Sequence, residues 1–437
     1  MSAQAATALS LEALAAQPIT IVTEPPGPMA RAMIARALPH LSPSLIHCYP
    51  LMVRRASGCM VEDVDGNVYL DAEAGVATAS TGHCHPAVAA AIAEQAQILI
   101  HICGTDFHYP GFGEICEKLG QLAQKIGPNT HHWQTFLTNS GTEAVEAALK
   151  LARQHTGRPG IIAFRGGFHG RTLGSLSLTA SKSKYRRGFG PLLPNVYHAT
   201  YGDLDSVREL FSTIAAPEDV AAIVVEPILG EGGYIVPPPD FLPGLRALAD
   251  AHGILLCFDE VQTGMGRTGR MFAAEHTSVV PDILLVAKGI ASGMPLGAMM
   301  APAEIMTWPP GSHGSTIAGN PVAIAAGLTT IGLLEGGLVA NAARVGHSLK
   351  RSLADTLAGC PWVTDVRGLG LMVGVELDSH DRASALAQLC FRRGLLVLEC
   401  GAKSIRFSPP LILTEPQAHI ATEVFAAACA ESGTLSA

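Results

Sequence analysis

Between residues 135 and 287 the chain alternates two hydrophobic patterns. Short, nearly continuous apolar runs read as strands buried on both faces: TFLTN (135–139), GIIAF (160–164), AAIVVEP (221–227), ILLCFDE (254–260) and DILLVA (282–287). Helical stretches lie between them, among them EAVEAALKLARQH (143–155) and FLPGLRALADAHG (241–253). In the first, Ala144, Ala147, Ala148 and Leu151 fall at i, i+3, i+4 and i+7, one face of a helix. The alternation predicts an α/β fold, a mostly parallel sheet flanked by helices. Such sheets bind ligands outside the carboxyl ends of their strands. Upstream, Asp65-Gly66 between CMVEDV and NVYLDA predicts a hairpin turn. Downstream, VRGLGLMVGVEL and GLLVLECGAKSIRFSPPL give strand-like pieces between helices, a smaller α/β unit. The expected division is 1–75 as an N-terminal segment sharing in the small domain, 76–330 as the large domain and 331–437 as the C-terminal small domain.

Composition narrows the function classes. The 437 residues are 48% hydrophobic and 15% charged, the profile of a folded chain with a large core. A net charge of -8 without a basic run argues against a nucleic-acid partner. The ten cysteines are scattered with no CxxC pair, which fits a reducing compartment better than a disulfide framework. The histidine clusters HCH (83–85) and HH (131–132) lack zinc spacing, so no metal is expected. The first twenty residues lack a positive start and a long apolar core, so no signal peptide is expected, and a cytoplasmic location is. The longest apolar stretch, 283–303, is broken by Lys288, several glycines and Pro295, so no membrane span is expected.

Four polar clusters fall at strand ends. Lys288 closes DILLVA, either as a cation snorkelling to water or as an amine made nucleophilic by burial. NSGTEA (139–144) opens a helix with free N–H groups, two hydroxyls and a glycine. It can hold a phosphate or serve as an ordinary N-cap. Asp259 follows five apolar residues and needs a partner, an ion pair or a protonated ring nitrogen. GGFHGRT (166–172) offers Phe168 for ring stacking or for the core, beside His169. An anion cup, an aromatic ring, a buried carboxylate and a lysine at neighbouring strand ends together describe a pyridoxal phosphate site.

The motifs resemble those of the class III (subgroup II) pyridoxal-phosphate aminotransferases, across nearly the whole chain. The matching segments are GHCHP (82–86), NSGTEAVEAALKLAR (139–153), GFHGRT (167–172), EPILGEGG (226–233), FDEVQTGMGRTG (258–269), AKGIASGMPLGA (287–298) and GSTIAGNP (314–321). The resemblance implies fold type I, pyridoxal 5'-phosphate as cofactor, amino-acid and 2-oxo-acid substrates, and a homodimer with sites at the subunit interface. It makes Lys288 the Schiff-base lysine and proton shuttle, and Asp259 the partner of the ring nitrogen. Gly141 and Thr142 form the phosphate cup, with Thr316 reaching in from the neighbouring subunit. Phe168 stacks on the ring and Gln262 meets the phenolic oxygen. Ser140, His169, Glu226 and Val261 are further cofactor contacts.

For the substrate, the resemblance places Arg171 on the far carboxylate of an ω-amino acid and Arg406 on an α-carboxylate. Glu231 pairs with Arg406 when no α-carboxylate is present; the plain alternative is a surface ion pair. Val76 aligns with an aliphatic residue of 4-aminobutyrate enzymes where ornithine enzymes have tyrosine. Leu229 departs from the glutamine typical of 4-aminobutyrate enzymes. The expectation is transfer from a 4-aminobutyrate-like ω-amino acid to 2-oxoglutarate. The alternatives are an ornithine or acetylornithine aminotransferase, or a racemase or epimerase on the same fold.

Overall fold

The computed structural model describes residues 10–434. The expectation about the first twenty residues therefore falls, for residues 1–9, outside the described residues.

The centre is a seven-stranded sheet. Its strands lie in the order Trp133–Thr138, Gly297–Pro302, Ile283–Val286, Leu255–Asp259, Val220–Val225, Gly160–Phe164 and Val196–Ala199. The four runs from Gly160–Phe164 to Ile283–Val286 pair in parallel in the expected places. Gly297–Pro302 is antiparallel to both its neighbours. Its sequence, GAMMAP, is all apolar and follows a short loop after Lys288, so periodicity alone did not separate it from the preceding strand. Val196–Ala199 is a short edge strand with three half-buried residues, also unmarked by its pattern.

Helices cover both faces. Gly141–Thr156 buries the predicted alanine and leucine face, Ala144, Ala147, Ala148 and Leu151. It stops at Gly157, in the left-handed region at φ +70°. Residues 321–357 are long and apolar enough, by length and composition, to cross a bilayer. In this fold they kink at Gly337, and Pro321–Leu333 packs against Pro86–Ile98 as a core helix.

The chain's two ends share the smaller layer. Met60–Asp63 and Val68–Asp71 form the expected hairpin. Leu395–Leu396 extends that sheet, pairing in parallel with Leu70–Asp71. A second four-stranded sheet holds Val363–Leu369, Met372–Leu377, Ser404–Phe407 and Leu398–Cys400. Arg267 joins the small layer to the large one, donating from a fully buried guanidinium to the carbonyls of Leu371 and Pro409.

The seam leaves no spare volume at Gly346, where a Cβ would lie 2.0 Å from the backbone of Gly370. Gly346→Ala is expected to destabilise the chain by about 1–3 kcal/mol, as overpacking does. Gly332→Ala, an exposed helix position with open space around it, is expected to be neutral or stabilising. Thermal unfolding of the two variants against the parent checks the contrast.

Candidate active site

The carboxyl ends of the parallel strands surround a cavity of about 400 Å³. One wall is the start of the Gly141–Thr156 helix. Ser140 caps it, its hydroxyl accepting from the Glu143 N–H at 3.4 Å. Glu143 returns the contact, accepting from the Asn139 N–H at 2.8 Å. The Thr142 hydroxyl lies 2.6 Å from that of Ser175 and 2.8 Å from that of Thr172. Gly141 is required here, because a Cβ would come within 2.7 Å of Val261. The wall thus presents helix N–H groups and hydroxyls, the chemistry that binds a phosphate.

Opposite it, Asp259 ends its strand with the side chain buried. Oδ2 lies 2.7 Å from His169 Nδ1, and Oδ1 accepts from the Val261 N–H at 3.1 Å. Burial alone would lower the His169 pKa. The hydrogen bond and charge of Asp259 outweigh it and raise the pKa. Glu226 accepts from the N–H groups of Phe168 and Gly230, both at 2.8 Å, and so ties two loops together. Burial pushes its carboxyl up to about 7, helped by Asp259 and opposed by His169. Gln262 is buried with no hydrogen bond to its side-chain oxygen, which lines the cavity. A buried, unpaired polar atom pointing at a cavity marks a place for a ligand atom.

Lys288 stands between these walls, half-buried, at φ +46°. Burial lowers its pKa first, and the Arg406 cation lowers it further against the pull of Glu231. Arg406 is buried on the strand Ser404–Phe407. Its Nη1 donates to Glu231, and its Nε donates to Glu73 at 3.1 Å. Arg171 is exposed at the cavity rim, its guanidinium 4.3 Å from the ring centre of Tyr185 and 5.8 Å from that of Phe168.

Most of the residues singled out from sequence therefore meet in one place. Ser140, Gly141, Thr142, Phe168, His169, Arg171, Glu226, Glu231, Asp259, Val261, Gln262 and Lys288 all line the cavity. Phe168 is half-buried there and not in the core. The alternative of a surface ion pair for Glu231 and Arg406 is overturned, because the arginine is only 4% exposed. Val76 is half-buried but not in the cavity lining, where Thr78 stands instead. Thr316 is exposed and also outside the lining. Sequence reasoning missed Glu73, Thr78 and Tyr185. Glu73 carried a usable signal, a carboxylate next to a buried strand, which needs a cationic partner.

This set fits pyridoxal phosphate in its donor chemistry: N–H groups and hydroxyls for a phosphate, an aromatic face, a buried carboxylate, an open amide oxygen and an amine.

Comparison with known proteins agrees. Residues 44–429 match the family model described as "Aminotransferase class-III". The chain is 43% identical over 387 residues to an acetylornithine aminotransferase of Methanopyrus kandleri, covering 88% of this chain and 96% of that one. It is 40% identical to a 4-aminobutyrate aminotransferase of Escherichia coli, covering 86% and 92%. It is 36% identical to an alanine/serine racemase of Pyrococcus horikoshii, covering 95% and 93%. Among solved structures it resembles the ornithine aminotransferase of Toxoplasma gondii, with a TM-score of 0.86, 32% identity, and coverage of 93% and 96%. With its strand-end cavity and a match running through almost all of its length, the chain belongs to the class-III aminotransferases, enzymes that work with pyridoxal phosphate.

Proposed function

We propose that this enzyme takes the amino group from an ω-amino acid of the 4-aminobutyrate class and passes it to 2-oxoglutarate. The observation that carries the reading is the pairing of buried Arg406 with Glu231, which lines the cavity together with Lys288. With Arg406 neutralised, a carbon that bears an amine and no carboxylate can lie against Lys288. With Glu231 swung aside, the guanidinium offers parallel N–H groups to the α-carboxylate of a 2-oxo acid. Arg171 at the rim suits the far carboxylate of either molecule. The similarity to acetylornithine enzymes fits the same geometry, since N-acetylornithine also carries a primary amine at one end and a carboxylate at the other.

Pyridoxal phosphate, when bound, supplies the carbon that captures the substrate amine and the ring that draws electrons from it. The N–H groups that open the Gly141–Thr156 helix, with the Thr142 hydroxyl, would hold the phosphate. Asp259, oriented by His169, would keep the ring nitrogen protonated. Phe168 would cover one ring face. Lys288 Nζ, less basic than an ordinary lysine, is suited to moving the proton at the substrate carbon next to the amine.

A second copy of the chain would complete this site. The segments 100–105 and 315–320 are tied together by hydrogen bonds from Asn320 to the Ile100 carbonyl and from Thr105 to the Ser315 carbonyl. They expose the apolar side chains Ile100 and Ile317 next to Thr316, with Ile98 and Phe107 exposed close by in sequence. That surface suits a partner subunit better than water.

A single-turnover panel tests the substrate reading. The purified coloured enzyme is exposed to 4-aminobutyrate, ornithine, N-acetylornithine and L- and D-alanine, with oxo product and enantiomer ratio recorded. Rapid consumption of 4-aminobutyrate, reversed by 2-oxoglutarate, is the expected result. Racemised alanine with no oxo product would replace the reading with racemisation. In steady state, Arg171→Ala is expected to raise KM for 4-aminobutyrate by about 10- to 100-fold, the loss of one charge-assisted contact. The same change should leave KM for n-butylamine untouched. For assembly, light scattering should give twice the chain mass, and Thr316→Ala should weaken cofactor retention without changing that mass.

A further inference from the structure

The two arginines of the site are held differently. Arg406 donates to two carboxylates, Glu231 and Glu73, so a carboxylate ligand reaches it only by displacing one of them. The guanidinium of Arg171, at the cavity rim, makes no ion pair and no hydrogen bond among the described residues. The carboxylate that reaches its loop, Glu146, accepts instead from the Thr172 hydroxyl and, at 3.0 Å, from the Ser175 N–H. What meets the guanidinium is aromatic. Its central carbon lies 4.3 Å over the ring centre of Tyr185 and 5.8 Å from that of Phe168. Lys184 Nζ also approaches the Tyr185 ring, at 5.8 Å, but Lys184 does not line the cavity.

The choice of a ring has a physical consequence. A long exposed arginine without any partner samples many rotamers and loses them on binding. A carboxylate partner would prevent that, but it would occupy the charge and the paired N–H groups that a ligand carboxylate needs. A ring face attracts the cation through its quadrupole and uses none of the in-plane donors. Tyr185 is itself fixed. It closes the 3₁₀ turn Ser183–Tyr185, and its N–H donates to the Lys182 carbonyl at 3.1 Å. Its half-buried ring meets that of Phe168 edge to face, 5.8 Å between centres and 80° between planes. Phe168 is fastened in turn by its N–H to Glu226, at 2.8 Å. Contacts therefore run without a break from a buried carboxylate through two rings to an exposed cation. Among the described residues the Tyr185 hydroxyl makes no hydrogen bond, so the ring face is the part that acts.

We propose that Tyr185 is a positioning residue for substrate selection: its ring holds the Arg171 guanidinium at the rim with the N–H donors free, and so favours amines that carry a far carboxylate over amines that carry none. Arg171 is then a carboxylate receptor that is always available, whereas Arg406 is one that Glu231 must first release. The inference rests on the functional reading above, in which Arg171 takes the far carboxylate.

The experiment reads the ratio of kcat/KM for 4-aminobutyrate to kcat/KM for n-butylamine, in the parent holoenzyme and in variants that keep the colour of bound cofactor. Tyr185→Leu, which keeps apolar bulk and loses the ring, should lower the ratio by about two- to fivefold. Tyr185→Phe, which keeps the ring and loses the hydroxyl, should give the parent ratio. In an Arg171→Ala background Tyr185→Leu should change the ratio no further, because the cation that the ring orients is gone. A ratio unchanged by Tyr185→Leu overturns the assignment, as does an equal fall in Tyr185→Phe or a full further fall in the Arg171→Ala background. Should Tyr185→Leu not retain cofactor, Tyr185→Met, flexible and also without a ring, takes its place under the same criteria. Loss of cofactor from both makes the ring a support for the cofactor and overturns the assignment too. A parent that turns over no 4-aminobutyrate, or an Arg171→Ala enzyme with the parent ratio, overturns the functional reading itself. A ratio that falls in Arg171→Ala but not in Tyr185→Leu overturns only Tyr185.

Discussion

Parallel pairing of Val220–Val225, Leu255–Asp259 and Ile283–Val286 brings Glu226, Asp259 and Lys288 to one edge of the sheet. Each of these strands is wholly apolar until its last residue or the one or two just beyond. The strand bodies give up their polar groups to the ladder and their side chains to the core, which fixes their register. Charge is tolerated only where the strand runs out, and in a parallel array every strand runs out on the same side. The cavity is a consequence of that constraint. The helix following Trp133–Thr138 adds its free N–H groups to the same edge.

Gathering charges in a buried edge is costly, and the site meets the cost locally. His169 and Asp259 pair at 2.7 Å, so neither is left alone. Glu226 and Glu260 are held mainly by backbone N–H groups, two each, and both are pushed up to about 7 chiefly by burial. Their role in the fold is to fasten loops. Glu226 joins the Phe168 loop to the loop carrying Glu231, and Glu260 gathers Ala273 and Ala274 behind Asp259. These two carboxylates therefore hold the loops around Asp259 and Glu231 in place. Asp259 and Glu231 can meet a ligand because Glu226 and Glu260 do not have to.

How legible this was from sequence depended on how local the cause was. The parallel strands and the Gly141–Thr156 helix were marked by apolar runs and by alanine spacing, and their positions held within two residues. The hairpin at Asp65-Gly66 was marked by its turn residues. Gly297–Pro302 escaped because an antiparallel strand returning after a short loop has the same apolar composition as its parallel neighbour. The site was legible wherever a polar residue interrupted an apolar run. The partner of Glu73 was not, because Arg406 lies 333 residues away and the two meet only when both ends of the chain share a layer. Tyr185 closes the short 3₁₀ turn Ser183–Tyr185 and Thr78 lies in a turn, elements too short for spacing to carry a register.

Backbone strain accounts for the remaining local detail. Lys288 sits at φ +46°, a conformation that costs a residue with a side chain on the order of 1 kcal/mol or more. Ala287 before it is still extended, and a single turn of 3₁₀ helix follows. The chain therefore breaks from the strand direction at the one residue whose amine must stay in the cavity. Had the strand continued, alternation would have carried the next side chains into the two covered faces of the sheet. The same argument applies at Ala74–Ala77, where a left-handed turn stops Val68–Asp71 from running on and places Glu73 behind Arg406. Val76 in that turn is β-branched, the type least at ease there, and its strain is held by the Ala77 and Thr78 N–H bonds to the Glu73 and Ala74 carbonyls. Two of the strained segments thus stand beside Lys288 and Arg406, whose placement decides what the cavity can bind.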